Sequence, residues 1–268
     1  MSYFSSEAYE MKKVVSGYLS DYKLPLDYLR SFFKLDGFDQ STIHQLTQQF
    51  APAITPNFYE EIYALIPIEQ HFYKKTFVLY KEYMMYVEMS PFEIIKKVLA
   101  TSSSPLLNFE VYTRTLQCLF QSKTSIIPIA TENFSLIPLG PVPSNKTIWV
   151  NPGQIENVKP YNLKALLITT NQFIIANDRL PRSITKRMKK GFLAHAILKR
   201  EIDSRPIRLS MNWLEYLELP STEMTREILR NSQFQQIPHL QGDFFRCYRE
   251  TYDSLLKQNL FHLLDIEE

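Results

Sequence analysis

Between residues 179 and 208, ten basic side chains stand against two acids. They are Arg179, Arg182, Lys186, Arg187, Lys189, Lys190, Lys199, Arg200, Arg205 and Arg208, opposed by Glu201 and Asp203. The segment carries +8; the whole chain is +2, so the remainder carries −6. A near-neutral total thus conceals a polarised chain, and local fields steer partners more than the total does. On a helix, Arg182, Lys186, Lys189 and Lys190 are spaced by four, three and one and fall within one broad face. Ile184, Met188 and Phe192 make a separate stripe at steps of four, suited to docking on a core. Ammonium and guanidinium donors suit phosphate oxygens, and arginine adds a bidentate grip on phosphate or carboxylate. The candidate anion-binding residues are Arg182, Lys186, Arg187, Lys189, Lys190, Arg200 and Arg205. The competing reading is a solvated helix face, neutralised by the acidic remainder of the same chain.

Other chemistry is sparse. The histidines are His44, His71, His195, His239 and His262, and none forms an H-E-x-x-H or H-x-x-x-H pair. A haem pocket in the N-terminal half would have only His44 and His71 as axial ligands, which argues against it. Cys118 and Cys247 are too few for a disulfide framework and too far apart for a structural zinc site. Cys118 falls in a helical pattern with Leu107 and Val111, where a buried structural thiol is expected. Cys247 has Arg246 and Arg249 nearby, and a guanidinium can lower a thiol pKa; His239 or His262 would then be the base. Nothing in the spacing requires that arrangement. Glu60-Glu61 and Glu267-Glu268 read as solvated pairs. G-x-S-x-G, P-loop and G-x-G-x-x-G patterns are absent. No catalytic residue, metal ligand or cofactor is assigned, and an enzyme is unsupported rather than excluded.

The elements that must position the basic segment follow from periodicity. A chain of 268 residues, 45% hydrophobic, 13% aromatic and 22% charged, has the composition of a folded protein. Asp39 reads as the cap of a helix through Ile43, Leu46 and Phe50. Phe58, Ile62 and Leu65 begin a second helix, which Pro67 closes. Phe72, Leu79, Tyr83 and Val87 suggest a third over 68–88. Ser90, Pro91 and Glu93 form a capping-box arrangement for a fourth, and helical spacing resumes over 107–122. Residues 123–178 change character. Thr147-Ile148-Trp149-Val150 is β-prone, and 166–169 and 173–176 flank Thr170-Asn171-Gln172 as a hairpin. Helices return over 183–203, around Trp213 and Tyr216, after a Ser221 cap, and from 244 to 264. Gly191 reads as a break within the basic helix, with close approach of a neighbouring group as the rival explanation. The expected fold is α+β and predominantly helical: a helical N-terminal half, a small mid-chain antiparallel sheet and a helical C-terminal region. Residues 1–122 and 123–268 form the two regions, which can make one composite domain.

Residues 1–22 have no basic stretch followed by an apolar run, and no window approaches a membrane span. A soluble, cytoplasmic or otherwise intracellular protein is expected, with secretion without a cleaved signal left open. The first functional expectation is a non-enzymatic binding or regulatory protein docking an anionic partner on 179–208. That partner is nucleic acid, an acidic protein surface or, by peripheral contact, anionic lipid; nucleic acid would be held by its phosphates. The alternative is an enzyme whose Arg182, Arg200 or Arg205 clamps a small carboxylate or phosphate substrate in a closed pocket. A third possibility is an assembly subunit with exposed aromatics among Tyr73, Tyr80, Tyr83 and Tyr86.

Overall fold

A computed structural model describes residues 23–27, 52–70, 73–101, 107–121, 126–142, 144–205 and 207–264. The helix expected after Asp39 and the histidines His44 and His71 lie outside these residues, as do Glu267 and Glu268. The region read as helical over 58–88 is a sheet. Strands β2 (Ala64–Gln70), β3 (Tyr73–Leu79) and β4 (Tyr83–Val87) form an antiparallel meander, with Ala64 opposite Leu79 and Phe77 opposite Tyr86. Strand β1 (Lys23–Pro25) pairs with the outer edge of β4. On the other side β2 pairs with β7 (Trp149–Val150), followed by β6 (Ser135–Pro138) and β5 (Ile129–Ala130). The resulting seven-stranded sheet runs β1-β4-β3-β2-β7-β6-β5. The fold is mixed rather than predominantly helical, and the described part of residues 1–122 combines strands β1 to β4 with helices over 91–101 and 109–119.

The physical reason is burial on both faces. Residues 62–66 and all of β4 are buried, so the apolar runs show no inside-outside alternation. Such runs fit a helix stripe as readily as a strand. The β3–β4 turn is made by Lys81-Glu82, with the Tyr80 N–H donating to the Tyr83 carbonyl at 2.9 Å. It contains none of the glycine, asparagine or proline that announces a hairpin. Pro67 is tolerated because β7 pairs with β2 only at Ala64 and Leu65.

A second sheet of three antiparallel strands holds β8 (Ile155–Tyr161), β9 (Lys164–Thr169) and β10 (Ile174–Asn177). The hairpin expected at 166–176 is β9–β10, with Ile174 opposite Ile168. Asn171 ties it to the large sheet, its Nδ2 donating to the Tyr80 and Lys81 carbonyls at 3.0 Å each.

Helix α1 (Pro91–Thr101) begins with the expected capping box: the Ser90 N–H donates to Glu93 at 2.8 Å and the Glu93 N–H to Ser90 Oγ at 3.2 Å. Asn108 caps α2 (Phe109–Leu119). Helix α3 (Pro181–Ile202) carries the basic segment and runs through Gly191 without a break. Then come α4 (Trp213–Tyr216), α5 (Glu223–Leu229) and α6 (Asp243–Leu264). Thr222, not Ser221, caps α5, and its hydroxyl also donates to the Ile155 carbonyl at 2.9 Å. One contiguous apolar core runs from Leu24 to Phe244 and includes Phe77, Tyr112, Trp149 and Phe192. The β2–β7 pairing carries the large sheet across residues 122 and 123.

Candidate anion-binding face of helix α3

Helix α3 lies along β5 and β6, with Ile184, Met188 and Phe192 fully buried. Gly191 lets it sit close. A Cβ there would stand 2.6 Å from Ile137 Cγ2 and 3.1 Å from Pro152 Cγ. Close approach, not a helix break, explains this glycine. Three side chains then fasten the helix to backbone carbonyls opposite. Arg187 donates through Nη1 to Pro138, Arg179 through Nε to Leu139, and His195 through Nε2 to Glu132 at 3.0 Å. Burial, with the charge of Arg179 adding to it, lowers the Arg187 guanidinium to about 10.

The outer side of the same helix is open. Arg182, Lys186 and Lys189 are exposed at i, i+4 and i+7, a row about 10 Å long at the rise of an α-helix. No carboxylate among the described residues pairs with any of the three. Lys190 is half-buried at the edge of this face. Desolvation lowers its pKa first, then the charges of Lys186 and Arg187.

Five of the seven sequence candidates therefore share the N-terminal half of α3; Arg200 and Arg205 do not join them. Arg200 is buried and donates to the Ile237 and Pro238 carbonyls at 3.1 and 3.0 Å. Arg205 is held by Asp203 at 2.7 Å and Glu218 at 2.9 Å, and those charge-assisted bonds raise its pKa. Glu218 also takes Lys199 at 3.2 Å. Internal neutralisation by acids thus operates at the C-terminal end of the segment.

Beside the row lies a groove of about 180 Å³. Ser183, Lys186, Arg187 and Lys190 form its helical wall, and Ile126, Pro128, Ile137 and Pro138 the opposite one. Sequence reading missed Ser183 and the apolar wall. The wall carries no charge pattern, and only the pairing of α3 with β6 brings it within reach.

The other candidates take structural places. Cys118 is exposed rather than buried. The Cys247 thiol is raised, not activated: burial dominates, and the lowering by Arg246 is smaller. His239 Nε2 lies 2.8 Å from the Leu119 carbonyl, and the His262 side chain is outside the described residues. Glu60 and Glu61 are not a solvated pair. Glu60 accepts from Asn57 at 2.7 Å and Tyr83 at 2.9 Å; Glu61 accepts from Asn151 and Gln154. Tyr80, Tyr83 and Tyr86 are buried in the sheet region rather than exposed on a helix. Among the described residues no group of three or more His, Cys, Asp or Glu is placed to hold a metal ion. No described helix is long and apolar enough to cross a membrane. No family model, curated protein or solved structure matches the chain.

Proposed function

We propose that this is a non-enzymatic binding or regulatory protein that docks an anionic partner along the outer face of α3. One observation carries the reading: Arg182, Lys186 and Lys189 form an exposed row that no carboxylate among the described residues neutralises. Elsewhere in the same segment Arg205 and Lys199 are paired. The row rises by about 6 Å and then about 4.5 Å along the helix axis, which suits a linear array of charges better than a single ion. Neutralising such an array releases counterions, so binding weakens steeply with salt. Phosphate contacts of this kind position a nucleic acid without reading its bases.

The test is a titration of the protein against short single- and double-stranded nucleic acid and anionic vesicles across a salt series. Binding should be tight at low salt and lost in Arg182→Glu/Lys186→Glu/Lys189→Glu, whose circular dichroism should match wild type. Unchanged affinity in that variant, or no binding by wild type at low salt, would sink the reading. The alternative of an enzyme clamping a small anion with Arg182, Arg200 and Arg205 draws no support from those three side chains, which do not converge. It draws some from the groove.

A further inference from the structure

We propose that the groove between α3 and the 126–138 segment is a binding site for one phosphate monoester group. The ester's organic body would pack against Ile126, Pro128, Ile137 and Pro138. This deepens the reading of α3 as an anion-docking helix and rests on it, with Lys186 shared between the outer row and the groove.

Arg187 is a buried cation with no counter-charge among the described residues. It is 8% exposed, and its Nη1 donates to the neutral carbonyl of Pro138. Arg179, close enough to depress it, is likewise held by a carbonyl. No carboxylate among the described residues reaches Arg187, Arg179 or Lys186. Buried charges are ordinarily paired, because a desolvated ion without a partner is costly. Arg187 lines a groove that Ser183, Lys186 and Lys190 also border. An anion seated there would supply the missing charge.

Phosphate fits better than carboxylate. Lys186 and Arg187 present two positive charges, which a phosphate monoester, carrying about −1.5 to −2 on three terminal oxygens, matches and a singly charged carboxylate does not. The volume of about 180 Å³ is several times the share of one water, about 30 Å³, and below the usual range for drug-sized ligands. It holds a phosphate and a few carbons. The facing prolines and isoleucines offer an apolar surface on which a sugar ring can lie. The group can be the phosphate of a free ester or the terminal phosphate of a nucleic-acid strand lying along the outer row.

Ribose 5-phosphate is the probe, with ribose as control, at fixed ionic strength and low millimolar concentration. Wild-type Tm should rise with the logarithm of ribose 5-phosphate concentration above Kd, by about 2–4 °C at ten times Kd, and not with ribose. Ser183→Asp places a carboxylate at i, i+4 to Arg187, within reach on the same face. That variant should melt higher than wild type without ligand and lose the response. Arg182→Glu/Lys189→Glu reverses two of the three outer-row charges but spares the groove. It should keep the ribose 5-phosphate response while losing polymer binding, so failure of the outer-face reading and failure of this one are distinguishable. Reduced affinity of Ser183→Asp for a 5′-phosphorylated duplex, with ribose 5-phosphate competing against that duplex for wild type, would place a strand's terminal phosphate in the groove. Unchanged duplex affinity would point to a free ester. If Ser183→Asp does not fold, Ile126→Trp, which fills the apolar half, should abolish the ribose 5-phosphate response. Equal responses to ribose and ribose 5-phosphate, or an undiminished response in the folded blocking variant, would overturn the proposal.

Discussion

A single missing methyl group sets how closely the basic helix approaches the sheet. In an isolated helix, alanine in place of glycine stabilises by about 1 kcal/mol. At Gly191 the added Cβ would meet Ile137 Cγ2 at 2.6 Å, inside the contact distance of any real methyl pair. Ile137 lies on a buried strand and Pro152 in a buried turn, so neither yields cheaply. Overpacking of this kind costs about 1–3 kcal/mol. Gly191→Ala should therefore lower stability by up to about 2 kcal/mol, read as a lower urea midpoint at unchanged m value. A raised midpoint would show that α3 does not rest on β6 as described. The charges of this helix were legible in sequence because Arg182, Lys186 and Lys189 repeat at helical spacing. The burial of Arg187 was not: its neighbour Lys186 has the same charge type and is exposed. Only the docking of the apolar stripe decides which of two adjacent cations turns inward.

Among the elements, those with local signals were legible and those defined by long-range pairing were not. The α1 start announces itself through Ser90, Pro91 and Glu93, and the β9–β10 hairpin through two β-branched runs around Thr170-Asn171-Gln172. Strands β2 to β4 announce nothing, because both their faces are covered and their turn lacks turn-forming residues. The groove was equally hidden, since one wall comes from 126–138 and the other from 183–190. How such elements are tied together shows at Glu61, just ahead of β2. Its carboxylate accepts from Asn151 Nδ2 at 2.8 Å and Gln154 Nε2 at 2.9 Å, joining the meander to the turn after β7. Both amide residues are buried. Removing the acceptor strands two donors, each costing about 1–3 kcal/mol. Glu61→Ala should thus destabilise by about 2–6 kcal/mol in chemical denaturation, and Glu61→Gln, which keeps one carbonyl oxygen, by less. A cost below about 0.5 kcal/mol, the range of ordinary surface substitutions, would mean that water replaces the carboxylate there.

At the scale of the whole molecule, one core links both sheets and all the longer helices, so a protonation event deep within it registers as global stability. His195 is that group. It is fully buried on α3, and because a carbonyl can only accept, the Nε2 facing Glu132 carries the proton. Nδ1 is therefore the atom that must gain a proton at low pH, and it is buried without a hydrogen-bond partner among the described residues. Burial lowers the pKa to about 4; Lys199 adds to the shift, while the Glu132 carbonyl works against it. In the unfolded chain the imidazole titrates near its ordinary value of about 6.5. Between those two values the unfolded state binds the extra proton and the folded state does not, so stability falls as pH falls. The contribution is complete above about pH 6.5 and amounts to about 2 kcal/mol lost between pH 7 and pH 5. Glu201, raised by burial, acts in the opposite sense over part of this window, so the wild-type profile alone does not isolate the histidine. The difference between wild type and His195→Gln does, because every other group cancels. Urea midpoints measured at pH 7 and pH 5 should converge for the two proteins as the pH drops. Parallel losses in both would place the histidine proton in contact with solvent or with a partner on Nδ1, and would remove α3 as the element through which acid loosens the fold.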